Sequence, residues 1–271
     1  MTDAMPIDTQ EALAAFERRD RAFDGRFVVA VRTTKIYCRP SCSARRPHPD
    51  HVAIFADPAA ARAGGYRACR RCLPDAVARD RAAVARATAM IAHADAPVPL
   101  AELAAAAGYA PHHFHRLFKR ATGVTPAAFA RALRRERAAQ ALHDAPRVTD
   151  AIYDAGYAAP SRFYAEAGAL GMTPAARRRG GRGETIRWTI APTSLGPLLL
   201  AATGRGIAHA AFGESDGALR RHFPAATIEP GDAAFARDAA RRVATAEGTA
   251  RDAFLPAPVR QHAFLAALRR D

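Results

Sequence analysis

The sequence predicts a multidomain α+β protein, and three observations carry that prediction. All four cysteines fall between Phe27 and Cys72, among short apolar runs that read as the strands and helices of a small α/β amino-terminal domain. Residues 97–180 hold a helical pattern that repeats itself, which predicts an all-α domain of two helix-turn-helix units. After residue 184 alternating apolar residues return and helical patterns follow them, which predicts a further α+β region. At 271 residues the chain is long enough for two or three domains, and 49% hydrophobic content supports ordinary globular cores. The expected domains are 1–76, 77–180 and 184–271.

Taken in order, Asp8 with Glu11 reads as a capping pair opening a helix whose apolar side includes Leu13 and Phe16. Phe27 to Val31 is a continuous apolar strand and Val52 to Phe55 a second. Asp57-Pro58 starts a short helix that Gly64-Gly65 ends, just ahead of the second cysteine pair. A helix from about Val77 to His93 then leads to Pro97 and Pro99, which mark a boundary.

Cys38 and Cys42 are spaced Cys-x3-Cys, and Cys69 and Cys72 are spaced Cys-x2-Cys. Two close cysteine pairs are the usual donor set for one tetrahedral zinc. Each pair clamps one edge of the ion from a short loop, and the long insert returns the second pair to complete the tetrahedron. We therefore expect one Zn2+ bound as Zn(Cys)4, which leaves His48 and His51 as surface histidines. On spacing alone such a site is usually structural, with reactive or redox-sensing roles as the alternatives. Zinc coordination holds a thiol deprotonated at neutral pH, and four thiolates around one divalent cation leave the cluster formally at minus two. Sulfur in that state attacks alkyl carbon. Arg39, Arg45, Arg46, Arg67, Arg70 and Arg71 surround the two pairs in sequence, as expected where a site approaches a phosphate backbone.

The runs FVVAVRTTKIYCRPSC from Phe27, SARR from Ser43 and GGYRACRRCLPD from Gly64 closely resemble the amino-terminal domain of the bacterial Ada family, over roughly residues 10–76. The resemblance implies that Cys38, first of the set, is both zinc ligand and methyl acceptor. Its substrate would be a DNA methylphosphotriester, and transfer would be irreversible and happen once per molecule. The methylated protein would then bind promoter DNA as an activator of the alkylation-damage response, with RNA polymerase as a partner. The resemblance also implies that Thr34, Arg45 and Arg67 touch the DNA backbone. Ser43 stands where a member of the family carries arginine.

In the middle domain Gly108-Tyr109 recurs as Gly156-Tyr157, and Gly123-x-Thr125-Pro126 recurs as Gly171-x-Thr173-Pro174. Each copy reads as a helix, a tight turn at its first glycine, and a second helix ended by its second glycine. In copy one Leu100, Leu103, Ala104 and Ala107 form a buried face and Phe114, Leu117 and Phe118 hold the second helix to it, which leaves His112, His113, Arg116 and Lys119 outside as groove contacts. In copy two Val148, Ile152 and Ala155 form the support, and Ser161, Arg162 and Phe163 open a less cationic second helix that contains Gly168. The pattern resembles the AraC-type DNA-binding domain, with Phe129 to Leu142 as the joining helix. Two readers on one chain reach major-groove faces about 34 Å apart, so a monomer on double-stranded DNA is expected.

The run RRRGGRGE from Arg177 reads as a flexible basic linker. Ile186, Trp188 and Ile190 alternate as a strand, Leu198 to Ala202 and Ile207 to Phe212 follow around a Gly204–Gly206 turn, and helices are expected near Asp216–His222 and Ala233–Glu247. This order resembles the amino-terminal half of a DNA alkylguanine alkyltransferase, which implies a partial ribonuclease-H-like α+β region. Gln261 to Arg270 reads as the first helix of the half that would follow. That family carries its acceptor in a Pro-Cys-His-Arg motif, and no cysteine follows Cys72, so O6-alkylguanine repair is expected to be absent from this polypeptide.

Net charge is +14, supplied almost entirely by arginine, and the middle segment carries most of the excess. Arginine's fork suits phosphate and guanine, so nucleic acid is the expected partner. No long apolar run or basic amphipathic anchor argues for a membrane, and MTDAMPIDTQEA has no signal-peptide pattern. Free thiols at metal spacing place the protein in the cytoplasm, at the nucleoid. No Gly-x4-Gly-Lys or His-Glu-x2-His motif is present. The competing reading is an AraC-type regulator whose zinc is purely structural, with no methyl transfer.

Overall fold

The computed structural model describes residues 8–247, 255 and 257–269. The chain falls into two compact units, one running up to Arg86 and the other beginning at Ala87.

In the first unit Asp8 caps α1 (Thr9–Glu17) by accepting from the Gln10 backbone N–H. The central strand β1 (Val28–Val31) pairs antiparallel with β2 (Ile36–Cys38) and with β3 (Val52–Phe55). A two-residue strand β4 (Arg67–Ala68) runs parallel to β2, giving the order β3-β1-β2-β4. The run Phe27–Ala30 is apolar at every position because both faces of the sheet are covered. Phe27 and Val29 join Ala12, Ala15 and Phe16 of α1, while Val28 and Ala30 join Tyr37 and Ala61 on the other face. Ala61 belongs to α2 (Pro58–Ala63), which Asp57 caps by accepting from Ala60 N–H at 2.7 Å. The helix expected from Val77 begins earlier, as α3 (Pro74–His93), because proline at the first helical position lacks only an N–H that would have no intrahelical partner there.

In the second unit α4 (Leu100–Ala107) and α5 (Pro111–Thr122) form the first helix-turn-helix, with Gly108 left-handed at the turn. The repeated Gly-x-Thr-Pro is a helix stop followed by a helix start. Gly123, at φ +77°, ends α5, and Thr125 Oγ1 accepts from Ala128 N–H at 3.2 Å to open α6 (Pro126–Asp144). In copy two Gly171, at φ +68°, and Thr173, accepting from Ala176 N–H at 3.1 Å, do the same ahead of α9 (Pro174–Arg178). Between them lie α7 (Val148–Asp154) and α8 (Pro160–Glu166). The second reader is shorter than expected: after Glu166 the chain tightens into a 3-10 turn over Ala167–Leu170, where Gly168 weakens the α-helix.

The expectation of a flexible linker after Arg177 is corrected. Arg177 is buried and donates to the carbonyls of Ala139 and Leu170 and, at 2.9 Å, to that of Ala208. Burial pulls its guanidinium down to about 10, so it stays charged at neutral pH. Gly180, Gly181 and Gly183 take positive φ in consecutive tight turns, and a Cβ on Gly181 would stand 2.9 Å from Ala226 Cβ.

The run delivers the chain into β5 (Thr185–Ala191), followed by β6 (Leu198–Thr203), β7 (Gly206–Phe212) and α10 (Asp216–His222). A strand the sequence reading did not contain, β8 (Thr227–Pro230), pairs parallel with β5, and the sheet order is β7-β6-β5-β8. The helices α11 (Ala233–Glu247) and α12 (Ala257–Leu268) complete the unit. The last of these begins before the expected Gln261, and Arg270 lies outside the described residues. Ile186, Leu199, Ala201, Ala208, Leu219 and Phe223 form the sheet's core with Met172. Among the described residues no helix is long and apolar enough to cross a membrane.

Candidate functional site

Strand pairing assembles the thiols. The parallel register sets Ile36 opposite Arg67 and Tyr37 opposite Ala68, so the next step brings Cys38 beside Cys69. A hydrogen bond from Cys69 N–H to the Tyr37 carbonyl, at 2.9 Å, fixes that step. Thus Cys38 ends a strand, where the sequence reading had placed it in a loop. The loop from Arg39 closes with Cys42 N–H donating to the Arg39 carbonyl, and Cys72 Sγ accepts from Arg39 N–H at 3.4 Å. All four sulfurs lie within 4.8 Å of one another, and all four residues are buried, Cys38 and Cys69 keeping 8% exposure.

This donor set fits zinc. Bonds of about 2.3 Å put the sulfurs of a tetrahedral site about 3.8 Å apart, inside the observed spread. Without a cation, four converging thiols cannot all ionise. The hydrogen bond to Cys72, then burial, then the neighbouring sulfurs push the Cys38 thiol up. Cys72, receiving that hydrogen bond, is pulled down to about 6. Without the ion, the sulfur that the family resemblance assigns to chemistry is held protonated. The four cysteines hold a zinc.

Two polar networks, one buried and one half-exposed, fix the ligand loops, and the sequence reading missed both. Asp24, 6% exposed, accepts from Ser41 N–H at 2.9 Å and from Ser41 Oγ–H at 2.6 Å, and pairs with the Arg39 guanidinium at 3.4 Å. Ser41 stands between the first two cysteines, so this carboxylate sets the shape of their loop. Tyr37 Oη–H donates to Asp75 at 2.6 Å, and Arg62 donates to both, at 3.0 Å to Tyr37 and 2.9 Å to Asp75. That network ties the residue before Cys38 to the helix that follows Cys72. A single polar residue far from a motif leaves no periodic signal, although an aspartate ahead of an apolar strand was visible. Replacing Asp24 with alanine is expected to leave the thiols in place but lower zinc affinity by about ten- to a hundredfold, as for other outer-shell partners of metal ligands, in competition with a chromophoric chelator.

The structure separates the sequence-predicted contact residues into groups. Thr34 and Arg67 are exposed at one end of the β2/β4 pair, where Arg67 N–H donates to the Lys35 carbonyl at 2.8 Å. Arg45 is exposed, and so are Ser43, Arg70 and Arg71. Arg39 is turned toward Asp24, with a third of its side chain exposed. Arg46 faces inward, its guanidinium 4.1 Å from the Phe16 ring centroid and donating to the Glu17 carbonyl. His48 and His51 are exposed and stand outside the thiol cluster. On α5 His112, His113, Arg116 and Lys119 are all exposed, opposite the buried Phe114, Leu117 and Phe118, and His113 stacks on Tyr109 with centroids 5.1 Å apart. On α8 Ser161 and Arg162 are exposed beside buried Phe163.

Residues 11–75 match the family model described as the metal binding domain of Ada, and residues 103–180 match a helix-turn-helix domain. The chain is 40% identical over 266 residues to the regulatory protein ada of Salmonella typhimurium, covering 96% of this chain and 74% of that one. It is 36% identical over 253 residues to the bifunctional transcriptional activator/DNA repair enzyme Ada of Escherichia coli, covering 91% and 72%. A solved structure of the DNA methyl phosphotriester repair domain of E. coli Ada is 43% identical, covering 28% of this chain and 82% of that one, with a TM-score of 0.24.

Proposed function

The chain belongs to the Ada family, and from that membership we propose that it is a DNA methylation-damage sensor. In this reading Cys38 takes a methyl group from a DNA methylphosphotriester, and the methylated protein binds promoter DNA as an activator. The observation that carries the proposal is that all four cysteines of the 271 residues converge in one buried cluster. Any cysteine acceptor in this polypeptide therefore lies there.

Zinc, when bound by Cys38, Cys42, Cys69 and Cys72, supplies the positive charge that keeps all four sulfurs ionised. The Cys38 Sγ lone pair attacks the methyl carbon. An S–C bond forms as the C–O bond breaks, and the bonding pair leaves on oxygen to restore an ordinary phosphodiester anion. Asp24 and Ser41 hold the attacking loop, and Thr34, Arg45 and Arg67 are assigned to the flanking phosphates. A thioether is a stable product, so in this reading transfer is irreversible and the protein is consumed in the reaction. His112, His113, Arg116 and Lys119 of α5, with Ser161 and Arg162 of α8, are assigned to the promoter grooves. The functional division is 1–76 for methyl acceptance, 77–180 for promoter reading and 184–271 for the alkyltransferase-like region. We place the protein at the nucleoid, as a monomer on DNA, in contact with RNA polymerase.

Titration with DNA bearing methylphosphotriesters tests this. Transfer should saturate at one methyl per zinc-loaded chain whatever the DNA excess, and Cys38→Ser with its zinc retained should accept none. No uptake by folded, zinc-loaded protein would leave the AraC-type regulator with a structural zinc.

A further inference from the structure

We propose that His209, Glu214 and His222 form a second metal site, built for a divalent first-row ion of the zinc type and independent of the four-thiol centre. The three residues come from successive pieces of the second unit: His209 from β7, Glu214 from the loop that Gly213 turns at φ +72°, and His222 from the last turn of α10. Their donor atoms lie within 4.8 Å of one another. His209 Nε2 stands 2.7 Å from Glu214 Oε2, and His222 Nε2 stands 3.7 Å from Glu214 Oε1, so two imidazoles converge on the two oxygens of one carboxylate. Their rings are 4.6 Å apart. None of the three is fully exposed, and His209 keeps 15% of its side chain accessible.

Two imidazoles and a carboxylate are the donors that zinc and its neighbours prefer over magnesium or calcium, which take oxygen alone. Bonds of about 2.0–2.2 Å need donors roughly 3.0–3.6 Å apart. The longer contact, at 3.7 Å, has to close slightly, and the shorter one, at 2.7 Å, has to open by a few tenths of an ångström. Three protein donors leave a position open, and it faces a cleft of about 810 Å3 also lined by Glu136 and His143. The cleft supplies an entry path and room for water. His143, its ring 5.9 Å from that of His222, is a further imidazole on the same wall. Arg177, Arg178 and Arg221 line it as well, which favours an anionic group or hydroxide on a bound ion. An ion held this way ties the end of α10 to β7.

The test uses the full chain with its thiol site already filled with zinc. Cobalt(II) is then titrated in, read by its weak visible bands, with metal content measured after dialysis. The expected result is one further equivalent with nitrogen and oxygen donors. Loss of an outer-shell partner alone costs about ten- to a hundredfold in affinity, so His222→Ala and Glu214→Gln are each expected to weaken that equivalent more than tenfold. His222 is 40% exposed at its side chain, so its removal should leave the fold and the thiol-bound zinc unchanged by circular dichroism and metal analysis. No further equivalent in the wild-type chain, or one that both folded variants retain, would mean that His209 and Glu214 form a hydrogen bond only.

Discussion

Stripping zinc from Cys38, Cys42, Cys69 and Cys72 is expected to unfold the first unit and leave the second standing. The first unit has two thin apolar clusters, one on each face of a four-stranded sheet, and its second cysteine pair reaches the sheet through a two-residue strand. A structural zinc contributes about 10–16 kcal/mol in small zinc-dependent folds, as much as the whole stability of a typical domain at about 5–15 kcal/mol. Loss of the ion adds to the cost, because the hydrogen bond to Cys72, burial and the neighbouring sulfurs push the Cys38 thiol up, so it must take a proton. The second unit has its own cores, around Ile152, Phe163 and Leu142 and around Ile186, Leu199 and Phe223. Chelation followed by amide hydrogen exchange should therefore deprotect residues 28–72 and spare β5 to β7. Zinc readdition under reducing conditions should restore protection. Retention of native protection in the metal-free protein would contradict this.

Methylation of Cys38 is expected to raise affinity for specific DNA by about a hundredfold at low salt. A thioether carries no charge, so the zinc cluster moves from minus two to minus one. One unit of charge removed at about 5 Å from a phosphate, at an effective dielectric near 20, changes the interaction by about 3 kcal/mol, which is about a hundredfold. Screening shortens the reach to about 8 Å at physiological salt, so the gain should shrink as salt rises. Contacts from α5 behave differently. Removing Arg116 and Lys119 should weaken binding in both methylation states and, if both contact phosphates, lower the salt slope by about two. A methylated protein that binds no more tightly than the unmethylated one, at any salt, would remove the electrostatic switch.

The parts of this architecture legible in the sequence are those with a local signal. Capping residues Asp8, Asp57, Thr125 and Thr173 mark helix starts where they occur, and left-handed glycines 108, 123 and 171 mark their turns and ends. The metal ligands were readable from spacing alone. What was not legible has a non-local cause. β4 and β8 hold one or two apolar residues each and exist only because β2 and β5 offer an edge. Gly171 looks like an ordinary helix stop, yet a Cβ there would come within 2.4 Å of the β7 backbone. The basic run at Arg177 has the composition of a linker, but three carbonyls, those of Ala139 and Ala208 from distant parts of the chain, converge on one guanidinium. Asp24 belongs to the same class, a polar residue whose meaning appears only when Ser41 is brought to it.

The most direct measurement is peptide-resolved mass spectrometry of the zinc-loaded protein after incubation with DNA bearing methylphosphotriesters. One methyl group, confined to the peptide carrying Cys38 and located on its sulfur, is the predicted result. A methyl on Cys42, Cys69 or Cys72, or an unmodified spectrum from protein with its zinc in place, would contradict the account.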